Sequence, residues 1–384
     1  MLNAGVHAPE VAERAGHTVA TLLKTYAKCI DGQQESADKR VESALEDERS
    51  AGRLCGMRAE WPCRRRALTS FSLVRGPFPG RNRLGQTRGM RVGFAVPQSG
   101  PWATPANMRR VATRAEELGY HELWTYQRLL YPVGHPMGPT YRAVHDPLIT
   151  LAHLSGVTGG IGLGVAVVNA YVPPVPLAKQ LATLQTVAGG RLTAGIGLGW
   201  LPEEFTAAGV GMERRGRRGE EFVEVLRKAW RDDVVEHSGE FYQVPPAHID
   251  PKPAPAPPRL LLGGTAEVAL RRAARLADGW VSSSREDLSG IAGRVELIKA
   301  ELAASGRDAT GFRFVCRGVT QVRPGDEDRP LTGTYDKIRA DVAGLAAHGV
   351  TDVFHDLNFD REIVTAGPEE AMRRAEEALE ALAP

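Results

Sequence analysis

The chain has only four cysteines in 384 residues, Cys29, Cys55, Cys63 and Cys316, and no two of them stand in a C-x-x-C spacing. That excludes a disulfide framework and a thiolate zinc site as organising features. No apolar run approaches the roughly 18 residues that a membrane-spanning helix needs. The opening MLNAGVHAPEVAERAG lacks a basic segment followed by an apolar one, so no secretory signal is expected and the cytosol is the expected home. Histidine pairs at metal-binding spacing, H-E-x-x-H or H-x-x-x-H, are missing, and no metal site is expected. The net charge is only +2, which argues neither for nor against a nucleic-acid partner. What remains, 42 % apolar and 24 % charged residues, is the composition of a soluble globular protein. The length allows two or three ordinary domains, or one large barrel with an appendage.

The character of the chain changes near Met90. Residues 49–89 are rich in arginine, nearly free of acid, and hold neither a helical nor a strand period. Such a stretch cannot bury a core of its own and reads as a disordered or loosely attached linker. A nucleic-acid-binding arm is the sharper alternative, but the aromatic residues are not interleaved with the arginines.

From Met90 onward, short apolar strands alternate with amphipathic helices. Eight strands are predicted: 91–96, 122–127, 162–170, 191–199, 259–264, 279–284, 313–322 and 352–359. Helical stretches such as ANMRRVATRAEELG and PLAKQLATLQTVAGG lie between them, with proline at starts and glycine at stops. Strand–helix alternation implies a parallel sheet. Eight repeats predict a closed (β/α)8 barrel with insertions, preceded by a short helical fragment (1–48) and the linker. GEFYQV, flanked by His237 and His248, reads as a small inserted hairpin before the fifth strand. Asp146 before Pro147 reads as a helix cap.

One run asks for an explanation: RLTAGIGLGW, with Gly195, Gly197 and Gly199 alternating before Trp200. The dinucleotide fingerprint G-x-G-x-x-G does not fit its spacing or its place after the fourth strand. At the C-terminal rim of a barrel, glycines let backbone N–H groups approach a ligand. A second pair, Gly263-Gly264, precedes Thr265 and a helix, and helix N-termini suit phosphate. Together they suggest an anionic tail lying across the barrel mouth. The alternative is that these glycines merely allow close packing or sharp turns.

Residues 90–384 resemble the luciferase-like monooxygenase superfamily, and in particular its branch of deazaflavin (coenzyme F420) oxidoreductases. The resemblance is carried by GYHELWTYQRLLYP, by the long run from IGLGVAVVNAYVPPVPLAKQ through GIGLGWLPEEFTAAG, by RRGRRGEEFVEVLRKAW and by RLLLGGTAEVALRRAARLADGW. It implies a barrel with its cofactor in the mouth and a non-proline cis peptide near Ala166 and Val167, behind the flavin-type ring. Gly197, Gly199, Gly263 and Gly264 match positions that approach the cofactor, with Trp200 and Thr265 beside them. FMN is the alternative cofactor, since both carry a phosphate. A homodimer is a further expectation, as dimers are common among relatives. In the family a histidine or carboxylate often ends strand two; here that stretch is Thr125-Tyr126-Gln127-Arg128. Tyr126 is the candidate proton donor or pocket wall, and Gln127 a candidate hydrogen-bond partner of ring or substrate. The loop 129–144, with His135 and Tyr141, and Ser282 to Ser284 at the end of strand six are expected to border the substrate.

Residues 2–48 resemble the C-terminal end of tyrosine recombinases, with His17 in AGH and Tyr26 nine residues later. The arginines that such a phosphoryl transfer needs lie upstream in that family, so this segment is expected to be inactive. Three functions are thus open. They are a deazaflavin oxidoreductase, an FMN monooxygenase of the same fold, and a recombinase-derived DNA-binding protein with an inert barrel.

Overall fold

A computed structural model describes residues 89–384. The expectations for residues 1–88, including the recombinase-like segment with His17 and Tyr26 and most of the basic linker, lie outside the described residues.

Eight parallel strands close into a barrel in chain order. They are β1 (Arg91–Ala95), β2 (Glu122–Thr125), β3 (Gly162–Asn169), β4 (Leu192–Gly197), β5 (Arg259–Gly263), β6 (Gly279–Val281), β7 (Arg313–Val319) and β8 (Asp352–Asp356). The helices are α1 (Pro105–Glu117), α2 (Pro147–Ser155), α3 (Pro174–Val187), α4 (Arg215–Arg231), α5 (Glu267–Leu276), α6 (Ile291–Ala304), α7 (Tyr335–Ala347) and α8 (Pro368–Ala381). All eight strands lie where the sequence predicts them, but each stops short of its predicted C-terminal end. Tyr126, Gln127 and Ser282 to Ser284 therefore leave the ladder and face the mouth. The eighth strand ends in a 3-10 turn, Leu357–Phe359. The inserted hairpin pairs Val235–Ser238 with Gln243–Ala247. Asp146 caps α2, accepting from Ile149 N–H at 2.9 Å, as Thr104 caps α1.

Strand side chains alternate, so every second residue enters the barrel. The outward set (Phe94, Leu123, Leu163, Ile196, Leu262, Phe314 and their neighbours) packs under the helices as one large core. The inward set forms stacked layers. At the base, Arg313 donates to Glu122 (2.6 Å), Asp352 (3.2 Å) and Thr193 (3.0 Å), joining four strands. Above it, Trp124 stacks on Phe354 with centroids 4.8 Å apart. A Cβ at Gly93 or Gly164 would strike the Trp124 indole, so these two glycines make the space that the plug fills. The top layer, with Ala95, Ala166 and Arg317, is the floor of the mouth.

β3 departs from this alternation. Val165 pairs with Ala194 of β4, but Val168 pairs with Ile196, so β3 uses one residue more than its neighbour. Within this bulge the Ala166–Val167 peptide is cis. Both residues turn to the interior, where they join the Trp124, Leu261 and Phe354 cluster.

Two predictions concern this scaffold. Although burial alone would raise the Asp352 carboxyl, the Arg313 guanidinium and its hydrogen bonds hold it below the usual range. Arg313→Met leaves Glu122 and Asp352 buried with Arg91 as remaining partner, and should cost about 3–5 kcal/mol in urea unfolding. Burial pushes His355 down from 6.5 to about 4. The unfolded chain then takes up a proton that the folded one refuses, so stability falls as pH drops from 6.5 to about 4. The loss is of the order of 3 kcal/mol, and His355→Asn should flatten that part of the pH profile.

Candidate active site

A cleft of about 860 Å³ opens at the C-terminal ends of the strands. The ten candidate catalytic and cofactor residues line it: Tyr126, Gln127, Ala166, Val167, Gly197, Gly199, Trp200, Gly263, Gly264 and Thr265; Tyr141 and Ser282 to Ser284 line it too, and His135 does not. What each does there differs from the simplest expectation.

The β4 glycines answer to β3 before any ligand. A Cβ at Gly195 would collide with the Val165 carbonyl, and one at Gly197 with Val167 and with Asn169 Oδ1. At Gly199, φ is +77° and a Cβ would sit 2.5 Å from Tyr171 Oη. The alternation in GIGLG is therefore a column of missing side chains that receives Val165, Val167, Asn169 and Tyr171 from the bulged strand. These contacts are the close packing that the sequence left open as the alternative for the glycines. Gly264 is similar. Its φ is +148°, a Cβ would lie 2.5 Å from Ala269 Cβ, and its carbonyl accepts from Trp280 Nε1 at 2.9 Å.

The bulge is pinned from two sides. Gln127 N–H donates to the Val167 carbonyl (3.3 Å), and Gln127 Oε1 accepts from Asn169 N–H (2.8 Å). The Gln127 oxygen is thus in use, while its NH2 group has no acceptor among the described residues. Across the barrel, Arg317 Nη1 donates to the Ala166 carbonyl at 3.2 Å, while its Nε donates to Asp356 at 2.7 Å. The Arg317 guanidinium lies against the adjoining Tyr126 and Phe359 rings, 4.5 and 4.4 Å from their centroids. Tyr126 is fixed through its backbone. Its N–H donates to Gln98 Oε1 (2.8 Å), and Gln98 Nε2 donates to its carbonyl (2.7 Å). The Tyr126 hydroxyl donates to the Thr140 carbonyl at 3.2 Å, and burial raises its pKa, so it stays protonated.

The far end of the cleft is cationic. Arg214, Arg215, Arg272, Arg285 and Arg294 line it, against Glu286 and Asp287. Arg214, Arg272 and Arg294 are matched by Glu240, Glu220 and Glu286. Arg215 and Arg285 contact no carboxylate among the described residues. The first turns of α4 and α5 border the same end, and neither has a side-chain cap. Their N–H groups are open donors, with the positive end of each helix dipole behind them. The sequence offers no spacing signal for these arginines, which come from separate segments. Glu286, buried and pushed upward in pKa by that burial, was equally hidden. No cluster of three or more metal-ligating side chains occurs among the described residues.

Residues 84–332 match the family described as luciferase-like monooxygenase. The chain belongs to this family. The luciferase-like chain is 32 % identical over 285 residues to an uncharacterised protein of Mycobacterium tuberculosis, spanning 67 % of this chain and 98 % of that one. It is 29 % identical over 216 residues to an FMNH2-dependent dimethylsulfone monooxygenase of Pseudomonas putida, spanning 55 % and 57 % of the two chains. Among solved structures it resembles an F420-dependent secondary alcohol dehydrogenase in complex with an F420–acetone adduct (TM-score 0.63, 14 % identity, 76 % and 99 % covered). It also resembles the monooxygenase RslO1 of Streptomyces bottropensis (TM-score 0.61, 21 % identity, 76 % and 98 % covered). At such identities the structural likeness speaks for the luciferase-like barrel alone. Like other family members, the protein is an oxidoreductase or monooxygenase.

The packing of the glycine column sets a prediction. Gly199→Ala forces a side chain into a left-handed backbone and onto Tyr171, and should cost about 1–3 kcal/mol in urea unfolding. Gly209→Ala, at a similar φ of +67° but with open space around it, should cost less. Equal losses would mean that the backbone angle, and not the β3 side chain, is the constraint.

Proposed function

We propose that the protein is a deazaflavin-dependent oxidoreductase that transfers a hydride between coenzyme F420 and a small organic substrate. The carrying observation is the surplus positive charge on the cleft wall: Arg215 and Arg285 have no carboxylate partners among the described residues, and two uncapped helix starts border the same cleft. One phosphate is served by one such helix start. Two of them, with two free guanidiniums, suit a cofactor whose phosphodiester is followed by carboxylates. The floor of the cleft fits a flat ring, since Ala166 and Val167 offer an apolar backing with no polar atom on either side chain.

When bound, the deazaflavin supplies the carbon that gives or takes the hydride. The chain's own residues do the rest. Arg317 and Gln127 hold the bulge in place from two sides, and Gly263, Gly264 and Thr265 lie toward the tail. Gln127 NH2 is positioned to donate to ring or substrate, and Tyr126 Oη is the proposed proton donor, although burial raises its pKa and so weakens it as an acid.

A second reading, an FMN-dependent monooxygenase, is favoured by the sequence likeness to the dimethylsulfone enzyme. Titration separates the two. F420, followed by quenching of its fluorescence, should bind more tightly than FMN, and Arg215→Gln/Arg285→Gln should weaken F420 by at least about tenfold. Tighter FMN binding that ignores the double variant would favour the second reading. Tyr126→Phe should keep cofactor affinity and lower turnover by about a hundredfold, for any substrate that the unmodified enzyme converts. Full turnover would remove Tyr126 from its assigned role.

A further inference from the structure

We propose that Arg128 is an anchor for the substrate's negative charge, and that the substrate is an organic acid with an apolar body. This rests on the cleft being the cofactor site. Arg128 follows Tyr126 and Gln127 off the end of β2, so it stands at the mouth beside the pinned bulge. Its side chain is only 6 % exposed. The guanidinium carbon lies 4.9 Å from the Tyr141 ring centroid and 5.1 Å from that of Trp200. With aromatic rings so close, its in-plane N–H groups are the part left to bind a partner.

Two of those nitrogens have no aligned acceptor. Nε and Nη1 are buried and make no hydrogen bond among the described residues. Glu204 Oε2 lies 3.0 Å from Nη1 and balances the charge, but out of hydrogen-bonding alignment. The Glu204 carboxylate is instead engaged by Leu129 N–H (2.8 Å) and Tyr171 Oη (2.8 Å). Two other buried arginines of this barrel behave differently: Arg313 and Arg317 both spend their donors on carboxylates and neighbouring oxygens. A buried arginine with orphaned donors lining a cleft is prepared for an acceptor that arrives from outside.

Two further observations indicate the chemistry of that acceptor. Arg285, which has no carboxylate partner among the described residues, lies 4.6 Å from the same Trp200 ring. Two guanidiniums therefore share one indole, with a single carboxylate to balance them. Arg128 also borders a second hollow of about 260 Å³, whose walls include Leu129, Leu130 and Val144. A guanidinium set between the cofactor cleft and a partly apolar hollow matches a carboxylate joined to a hydrocarbon or aromatic body.

The test uses the full chain with benzoate, its neutral analogue benzamide and inorganic phosphate as probes, followed by calorimetry. Benzoate should bind the unmodified protein, also with F420 already present, while benzamide and phosphate should bind at least about tenfold more weakly. Arg128→Met should weaken benzoate by at least about tenfold, with partial recovery in Arg128→Lys, and F420 affinity should stay within about twofold. Equal binding of benzamide, or benzoate binding indifferent to Arg128→Met, overturns the proposal. So does a loss of F420 affinity in Arg128→Met, because the residue would then serve the cofactor. Failure of F420 to bind even the unmodified protein would strike the cofactor reading instead, and the benzoate comparison would still decide on Arg128. If Arg128→Met does not fold, Arg128→Lys decides: benzoate weakened by about threefold supports the anchor, and unchanged affinity overturns it.

Discussion

The mouth of this barrel depends on how closely β4 lies against the bulged β3. The extra residue in β3 turns both Ala166 and Val167 inward, and the chain beyond it carries Asn169 and Tyr171 toward β4. That crowding is tolerable only because β4 presents Gly195, Gly197 and Gly199 on the same side. The period of two in the glycines is the period of the strand itself. From this contact follow the flat floor of the cleft, the position of the Val167 carbonyl that Gln127 meets, and the path by which Glu204 reaches Tyr171 and Arg128.

Charge is handled in opposite ways at the two ends of the barrel. At the base, Arg313 is enclosed by Glu122 and Asp352 and supported by Thr193, a closed set that leaves nothing for a ligand. One layer above the Trp124–Phe354 plug, Arg317 divides its donors between Asp356 and a peptide carbonyl. At the rim, Arg215 and Arg285 lack carboxylate partners among the described residues, and Arg128 has donors without acceptors. Compensation thins out along the axis. The interior half of the gradient serves stability, and the outer half leaves binding energy to be completed by what enters.

Much of this was legible in the sequence. Alternating apolar strands and capped helices located all eight barrel strands, and family likeness placed the unusual peptide at Ala166–Val167. The ten candidate residues meet in one cleft because strand ends of a closed barrel converge, whatever their distance in the chain. The meaning of the glycines was harder to see. A missing side chain looks the same whether it makes room for a ligand or for Val167, and only the register shift in β3 separates the two. The arginines were hidden for another reason. Arg128, Arg215, Arg272 and Arg285 come from four separate segments, so no local spacing marks them as a set. Arg128 shares the strand-two end with Tyr126 and Gln127, where the family pattern has a histidine or carboxylate and a cation gives no such signal.

The stacked Trp124 and Phe354 carry a consequence for traffic. They stop the barrel axis like a cork, so nothing passes from the mouth to the base. Whatever binds on the Ala166–Val167 floor must come and go past everything seated nearer the rim. The barrel is therefore a blind pocket with a single doorway, closed off below by two aromatic side chains that no guest needs to touch.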